Sequence, residues 1–100
     1  MDTPISEITA EQFSDLGGKP MHLLRVGEAP LELRLCEVRM LGTRGPRAAP
    51  PFSAVLCAPD GTRLDQGIHR LSHPALGELS LFIVPVGPRP EGPGFEIVFN

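Results

Sequence analysis

From Leu31 to Met40 apolar and polar side chains alternate, and the alternation changes phase midway. Leu31, Leu33 and Leu35 are interleaved with Glu32 and Arg34. Beyond them Cys36, Val38 and Met40 are apolar while Glu37 and Arg39 are charged. Alternate residues of a strand share a face, so the pattern predicts a strand over 31–41. A period of two changes phase when one residue is added, which predicts a β-bulge or sharp bend near Leu35-Cys36. Strands bend in this way when a sheet curls toward a barrel.

The same patterning divides the rest of the chain. Residues 1–8 read as a loose arm. In Thr9-Ala10-Glu11-Gln12 the hydroxyl of Thr9 can accept from the backbone of Gln12 while the Gln12 side chain reaches back, and Ile8 and Phe13 are spaced as a hydrophobic staple. Gly17-Gly18 supplies a left-handed stop. These signals predict a helix over about 10–16, too short to hold alone, that docks through Phe13 and Leu16. Pro20 opens a first strand, Met21–Val26, and Gly27-Glu28-Ala29-Pro30 turns the chain into the second. Residues 42–51, rich in Gly, Pro and Arg, read as a loop.

Phe52–Ala58 reads as a third strand. Pro59-Asp60-Gly61-Thr62 is a strong turn signal and predicts a hairpin to a fourth strand, Gly67–His73. Ala75-Leu76-Gly77 turns into a fifth strand, Glu78–Val86. Its continuous apolar run Leu81-Phe82-Ile83-Val84 predicts cover on both faces. Gly87–Gly94 reads as a Pro/Gly loop. The alternating Phe95, Ile97 and Phe99 form a last strand, expected to pair with the fifth. The fold class is therefore mainly β: one domain over 1–100, a small antiparallel barrel (or two-sheet sandwich) of about six strands with one short N-terminal helix. The phase slip favours the barrel.

Composition narrows the functional classes. Of 100 residues, 41% are hydrophobic, with five Phe and neither Trp nor Tyr, so the core is aliphatic with a few phenyl rings. A formal net charge of −3 supplies no basic stripe for nucleic acid. The 11 glycines and 12 prolines exceed the roughly 12 in 100 of an average protein, and they punctuate apolar runs as turns do. No segment reaches the roughly 18 consecutive apolar residues of a transmembrane helix. Met1-Asp2-Thr3-Pro4 has neither the basic nor the apolar region of a secretory signal. A cytoplasmic location is the default expectation, and it suits Cys36 and Cys57 read as two thiols, each a small buried hydrophobe.

Candidate chemistry is sparse. His69 and His73 fall on one strand, His22 lies far off in sequence, and no ligand set for zinc emerges. Cys36 and Cys57 form no Cys-x-x-Cys pair; two free thiols are the first reading and a disulfide between neighbouring strands the second. Asp60 and Asp65 could act as acid and base, but Asp in a turn more commonly bonds its own backbone. Gly92-Pro93-Gly94 precedes a strand, not a helix, and is no phosphate loop. No catalytic residue, metal or cofactor is assigned. Arg44 and Arg47, in the 42–51 loop, are the candidate binding residues for an acidic partner or anion.

Gln66-Gly67-Ile68-His69-Arg70-Leu71-Ser72-His73-Pro74-Ala75-Leu76-Gly77, then Leu81-Phe82-Ile83-Val84-Pro85-Val86-Gly87-Pro88, then Phe95-Glu96-Ile97-Val98-Phe99-Asn100, resemble a family of small bacterial domains of unknown function. Thr9–Leu16 and Leu33–Val38 are similar to its front half. Members often carry a large aromatic where this chain has His69, and the family is often encoded near phage-tail-collar-like proteins. The resemblance lends no catalytic residue. It implies an accessory of a tail-like or surface structure.

The expected function is thus a non-enzymatic protein-interaction or assembly module, binding a protein partner or itself through a strand edge such as the last strand. It is expected to bind neither nucleic acid nor membrane. The alternative is a barrel that binds a small anionic ligand through the 42–52 and 87–94 loops.

Overall fold

In a computed structural model, which describes residues 7–16, 18–42 and 49–100, one helix and six strands follow each other along the chain. They are α1 (Ala10–Ser14), β1 (Met21–Leu23), β2 (Leu31–Met40), β3 (Phe52–Cys57), β4 (Gly67–His73), β5 (Gly77–Arg89) and β6 (Gly92–Phe99). The strands close into an antiparallel barrel in the order β1-β2-β3-β6-β5-β4. This is the mainly β, barrel-type fold the patterning predicts.

The phase slip in β2 is a bulge. Leu35 pairs with Leu56 and Glu37 with Val55, so Cys36 is the extra residue. β2 pairs with β1 through Leu33 and with β3 from Arg34 onward, so the bulge lies just after the change of neighbour. A second bulge lies between Pro85 and Gly87, where β5 leaves β4 and continues along β6. Two bent strands passing from one neighbour to another are what closes so few strands into a barrel.

Helix α1 plugs one end. Thr9 N–H donates to the Gln12 side chain at 2.8 Å and Gln12 N–H to the Thr9 hydroxyl at 3.3 Å, the reciprocal cap expected from sequence. The helix ends at Ser14, two residues early. Phe13, completely buried, meets Phe52 and Phe99 with ring centroids 5.8 and 5.3 Å away, and those two stack at 4.5 Å. Phe52 and Phe99 are paired across β3 and β6, so the aromatic plug marks the end where β3 begins and β6 finishes. The core below it is aliphatic: Met21, Leu23, Leu33, Leu56, Leu71, Ile83 and Ile97 among others.

Several expectations are corrected. β3 and β4 form no hairpin, although Pro59–Thr62 does turn, with Thr62 N–H donating to Pro59 O at 3.1 Å. β3 instead pairs with β2 and β6, and β4 with β1 and β5. A tight turn reverses the chain, but here residues 58–66 then carry it across the barrel end to the far side. Gly87–Gly94 is not a loop: β5 extends to Arg89, β6 starts at Gly92, and only Pro90-Glu91 joins them. The prolines are tolerated because this arm of β5 has a ladder partner on one side only. β1 stops at Leu23. The strand covered on both faces is β3, buried at every residue, whereas Phe82 of β5 is 50% exposed. Along β6, pairing with β3 covers 94–99 and pairing with β5 covers 92–96, so both sides are bonded over 94–96 and the side of 97–98 away from β3 has no ladder partner among the described residues.

Candidate functional site

At the end away from the helix, the β5–β6 hairpin projects past Cys57, the last residue of β3. Glycine permits its close approach. At Gly92, with φ +132°, a Cβ would lie 2.1 Å from the carbonyl oxygen of Ala58, so only glycine lets the turn sit against that backbone. Ala58 N–H donates to Pro93 O at 3.0 Å and extends the contact. Arg89 is held by Glu37 of β2, Nη1 to Oε1 3.0 Å, and Glu37 also takes the Arg39 guanidinium at 2.9 Å. Arg39, and after it Arg89, holds the Glu37 carboxyl below its usual range.

Between this hairpin and the 60–64 segment lies a groove of about 510 Å³. Its wall is apolar, formed by Leu64, Pro85, Pro88, Pro93 and Phe95, with Asp60 and Arg63 at the side. Volume and lining fall in the range of ligand sites, a mostly apolar cleft with a few polar groups. Arg89 is committed to Glu37. Arg63 and Asp60 make no ion pair among the described residues, so the groove offers one cation and one carboxylate to an occupant.

On β2 and β3 the two cysteines are joined. Cys36, the bulge residue, and Cys57 form a disulfide with a Cα–Cα distance of 6.2 Å. The first reading, two free thiols, is therefore corrected: the bulge brings Cys36 beside the end of β3, a juxtaposition that spacing alone does not reveal. The cytoplasmic expectation leaned on those thiols and loses that support. By the chain-entropy argument a cross-link of this loop length contributes about 3 kcal/mol. Cys36, Cys57 and Glu91 of the hairpin turn border a second cleft of about 320 Å³.

The histidines do structural work. His73 is buried; its Nδ1 accepts from the backbone N–H of Ala75 at 3.0 Å and of Leu76 at 3.1 Å. Its Nε2 lies 3.0 Å from Gln12 O, to which it donates in the tautomer those two bonds require. Burial pushes its pKa below the ordinary 6.5, opposed by the bond to Gln12. His69 bonds the backbone oxygen of Asp65 at 2.9 Å. His73 packs against Phe13 at the helix end, centroids 5.3 Å apart, so the fold does not gather His73, His69 and Asp60 into one site.

Arg44 and Arg47 lie outside the described residues. The ends of their loop are nevertheless placed: Met40 pairs with Phe52, which pairs with Phe99, while the β5–β6 turn lies beyond Cys57 and Gly94. The two segments expected to share a barrel mouth are thus anchored at opposite ends of the β3–β6 ladder.

A family model described as a domain of unknown function (DUF6916) matches residues 8–99. The chain belongs to the DUF6916 family. No curated protein and no solved structure matches it. The family span takes in every strand of the barrel and α1, so the groove and the disulfide both lie inside the DUF6916 domain. Among the described residues no helix of this DUF6916 domain is long and apolar enough to cross a membrane.

Sequence reasoning missed Leu64, Arg63 and Phe95 as groove residues. The available signals were Leu64, an isolated apolar residue in a polar turn segment, and the repeated prolines at 85, 88, 90 and 93. Neither points to a groove until the hairpin is known to fold over the 60–64 segment.

Proposed function

We propose that this domain is a non-enzymatic protein-interaction module that takes an apolar segment of its partner, bearing an acidic side chain, into the groove beneath the β5–β6 hairpin. The groove carries the reading: an open apolar wall of Leu64, Phe95 and three prolines, with Arg63, which makes no ion pair among the described residues, beside it. Proline and leucine walls bind by shape and burial, and one cation sets polarity and register. The scattered histidines and aspartates favour binding over catalysis. A partner belonging to a tail-like or surface structure is inferred from the family resemblance alone.

The test is selection of peptides from a random display library on the immobilised chain, followed by affinity measurement of those enriched. Peptides with apolar residues flanking an Asp or Glu are expected. Arg63→Glu should weaken them by about 10-fold or more, the scale of one lost charge contact turned repulsive. Leu64→Asp should abolish binding. Selection of peptides indifferent to both substitutions would remove the groove as the site.

A second reading keeps the groove and changes the occupant. Arg63 can equally pair with a small carboxylate on an apolar body. Rises in melting temperature with aromatic or aliphatic carboxylates, lost in Arg63→Glu, combined with no peptide enrichment, would select it.

A further inference from the structure

We propose that reduction of the Cys36–Cys57 disulfide creates a zinc-binding site whose third protein ligand is Glu91. The sulfurs of Cys36 and Cys57 and a carboxylate oxygen of Glu91 all lie within 4.8 Å of one another. They come from three places: the bulge of β2, the end of β3 and the turn between β5 and β6. Zinc is the metal these atoms suit, since it takes both thiolate and carboxylate ligands in tetrahedral sites, and three protein ligands leave one position for water.

The geometry needs little adjustment. Tetrahedral zinc with bonds of about 2.3 Å to sulfur holds its two sulfurs about 3.8 Å apart. The sulfurs must therefore separate from bonding distance to that value, and the 6.2 Å between the Cα atoms leaves room for it by side-chain rotation. Cys36 is the bulge residue, unpaired in the β2–β3 ladder, so no pair in that ladder is sacrificed if it shifts. The cleft that contains the three residues is bordered by Glu32 and Arg34, which pair with each other at 3.0 Å. The Arg34 charge is thereby partly neutralised, and two thiolates and Glu91 supply the negative charge that a dication compensates.

The chemistry balances. Two equivalents of a small thiol give two electrons and two protons to the Cys36–Cys57 bond, which breaks into two thiols while the reductant becomes its own disulfide. Zinc then displaces one proton from each thiol. The link between β2 and β3 is a covalent bond under oxidising conditions and a metal bridge under reducing ones. This inference is independent of what fills the groove.

The experiment uses the full chain, reduced under nitrogen, mixed with zinc alone, passed through a gel-filtration column and assayed for metal. The reduced chain should retain about one zinc, and the oxidised chain none. Cobalt in place of zinc should give the near-ultraviolet absorption of thiolate coordination. Cys36→Ser, at a half-exposed position, should abolish retention. Glu91→Gln, on the exposed turn, should weaken it by at least about tenfold, since loss of supporting groups around a metal already costs that much. If the reduced chain loses its fold, circular dichroism should show zinc restoring it. Zinc retained equally by the oxidised chain, no zinc on the reduced chain, failure of zinc to restore a fold lost on reduction, or an unchanged affinity in Glu91→Gln would each overturn the assignment.

Discussion

His73 joins parts of the chain remote in sequence through one ring. One nitrogen accepts from two backbone amides of the β4–β5 turn, and the other reaches Gln12 of the helix, 61 residues away. Its replacement leaves three backbone groups without that partner, so His73→Ala should cost about 2–4 kcal/mol. The bond pattern also fixes a pH dependence. Burial lowers the folded pKa below 6.5, so between the two values the unfolded chain binds the extra proton. Stability from this group is complete above about pH 6.5 and declines as pH falls through the folded pKa. Denaturation midpoints measured from pH 8 to pH 5 should show this decline in the parent and lack that component in His73→Ala. Midpoints with the same pH profile in both chains would place the ring outside the linkage.

At the scale of elements, the glycines of the two turns beside the groove divide into those that need the space and those that need only the angle. Gly92 needs both: positive φ and a Cβ position 2.1 Å from Ala58 O. Gly61 needs only its φ of +85°, with nothing within 4 Å. Gly92→Ala should therefore destabilise by about 2 kcal/mol or more and Gly61→Ala by about 1 kcal/mol, which thermal melts of the two variants will rank. Equal losses would mean that the turn does not pack on β3 as described. What the sequence reveals at this scale follows the range of the forces involved. The cap at Thr9–Gln12 and the bulge at Cys36 are written in neighbouring residues and can be read there. The partner of β3 is not, because Pro59–Thr62 specifies a reversal but not the strand that the chain meets afterwards. The arm of β5 through Pro85–Arg89 was hidden for a related reason: proline is unsuited to a strand bonded on both sides, and this arm has only β6 beside it. The groove inherits both gaps, since its walls are that arm and the segment leading away from that turn.

For the whole molecule, closure decides how the chain can associate. Each strand of the barrel has a neighbour on either side, which leaves only short stretches of strand paired on one side, such as 97–98 of β6 and 84–89 of β5. Beyond those short edges, association uses side chains on the outer wall. The clearest apolar feature there is the cross-strand pair Ile68 and Phe82, 73% and 50% exposed. Two such side chains expose on the order of 200 Å², below the few hundred that mark an interface on a monomer. The expected state is a monomer of 10.8 kDa across a concentration series, consistent with a groove that receives a different chain. Light scattering coupled to size exclusion measures this, with refractive index for detection because the chain lacks Trp and Tyr. Should a larger species form at high concentration, the outer wall predicts its cure: Phe82→Lys sets a charge in the centre of the pair and should return the mass to that of one chain. A dimer that survives Phe82→Lys would remove the Ile68–Phe82 pair as the contact and turn attention to strand addition at 97–98 of β6 or 84–89 of β5, each paired on one side only.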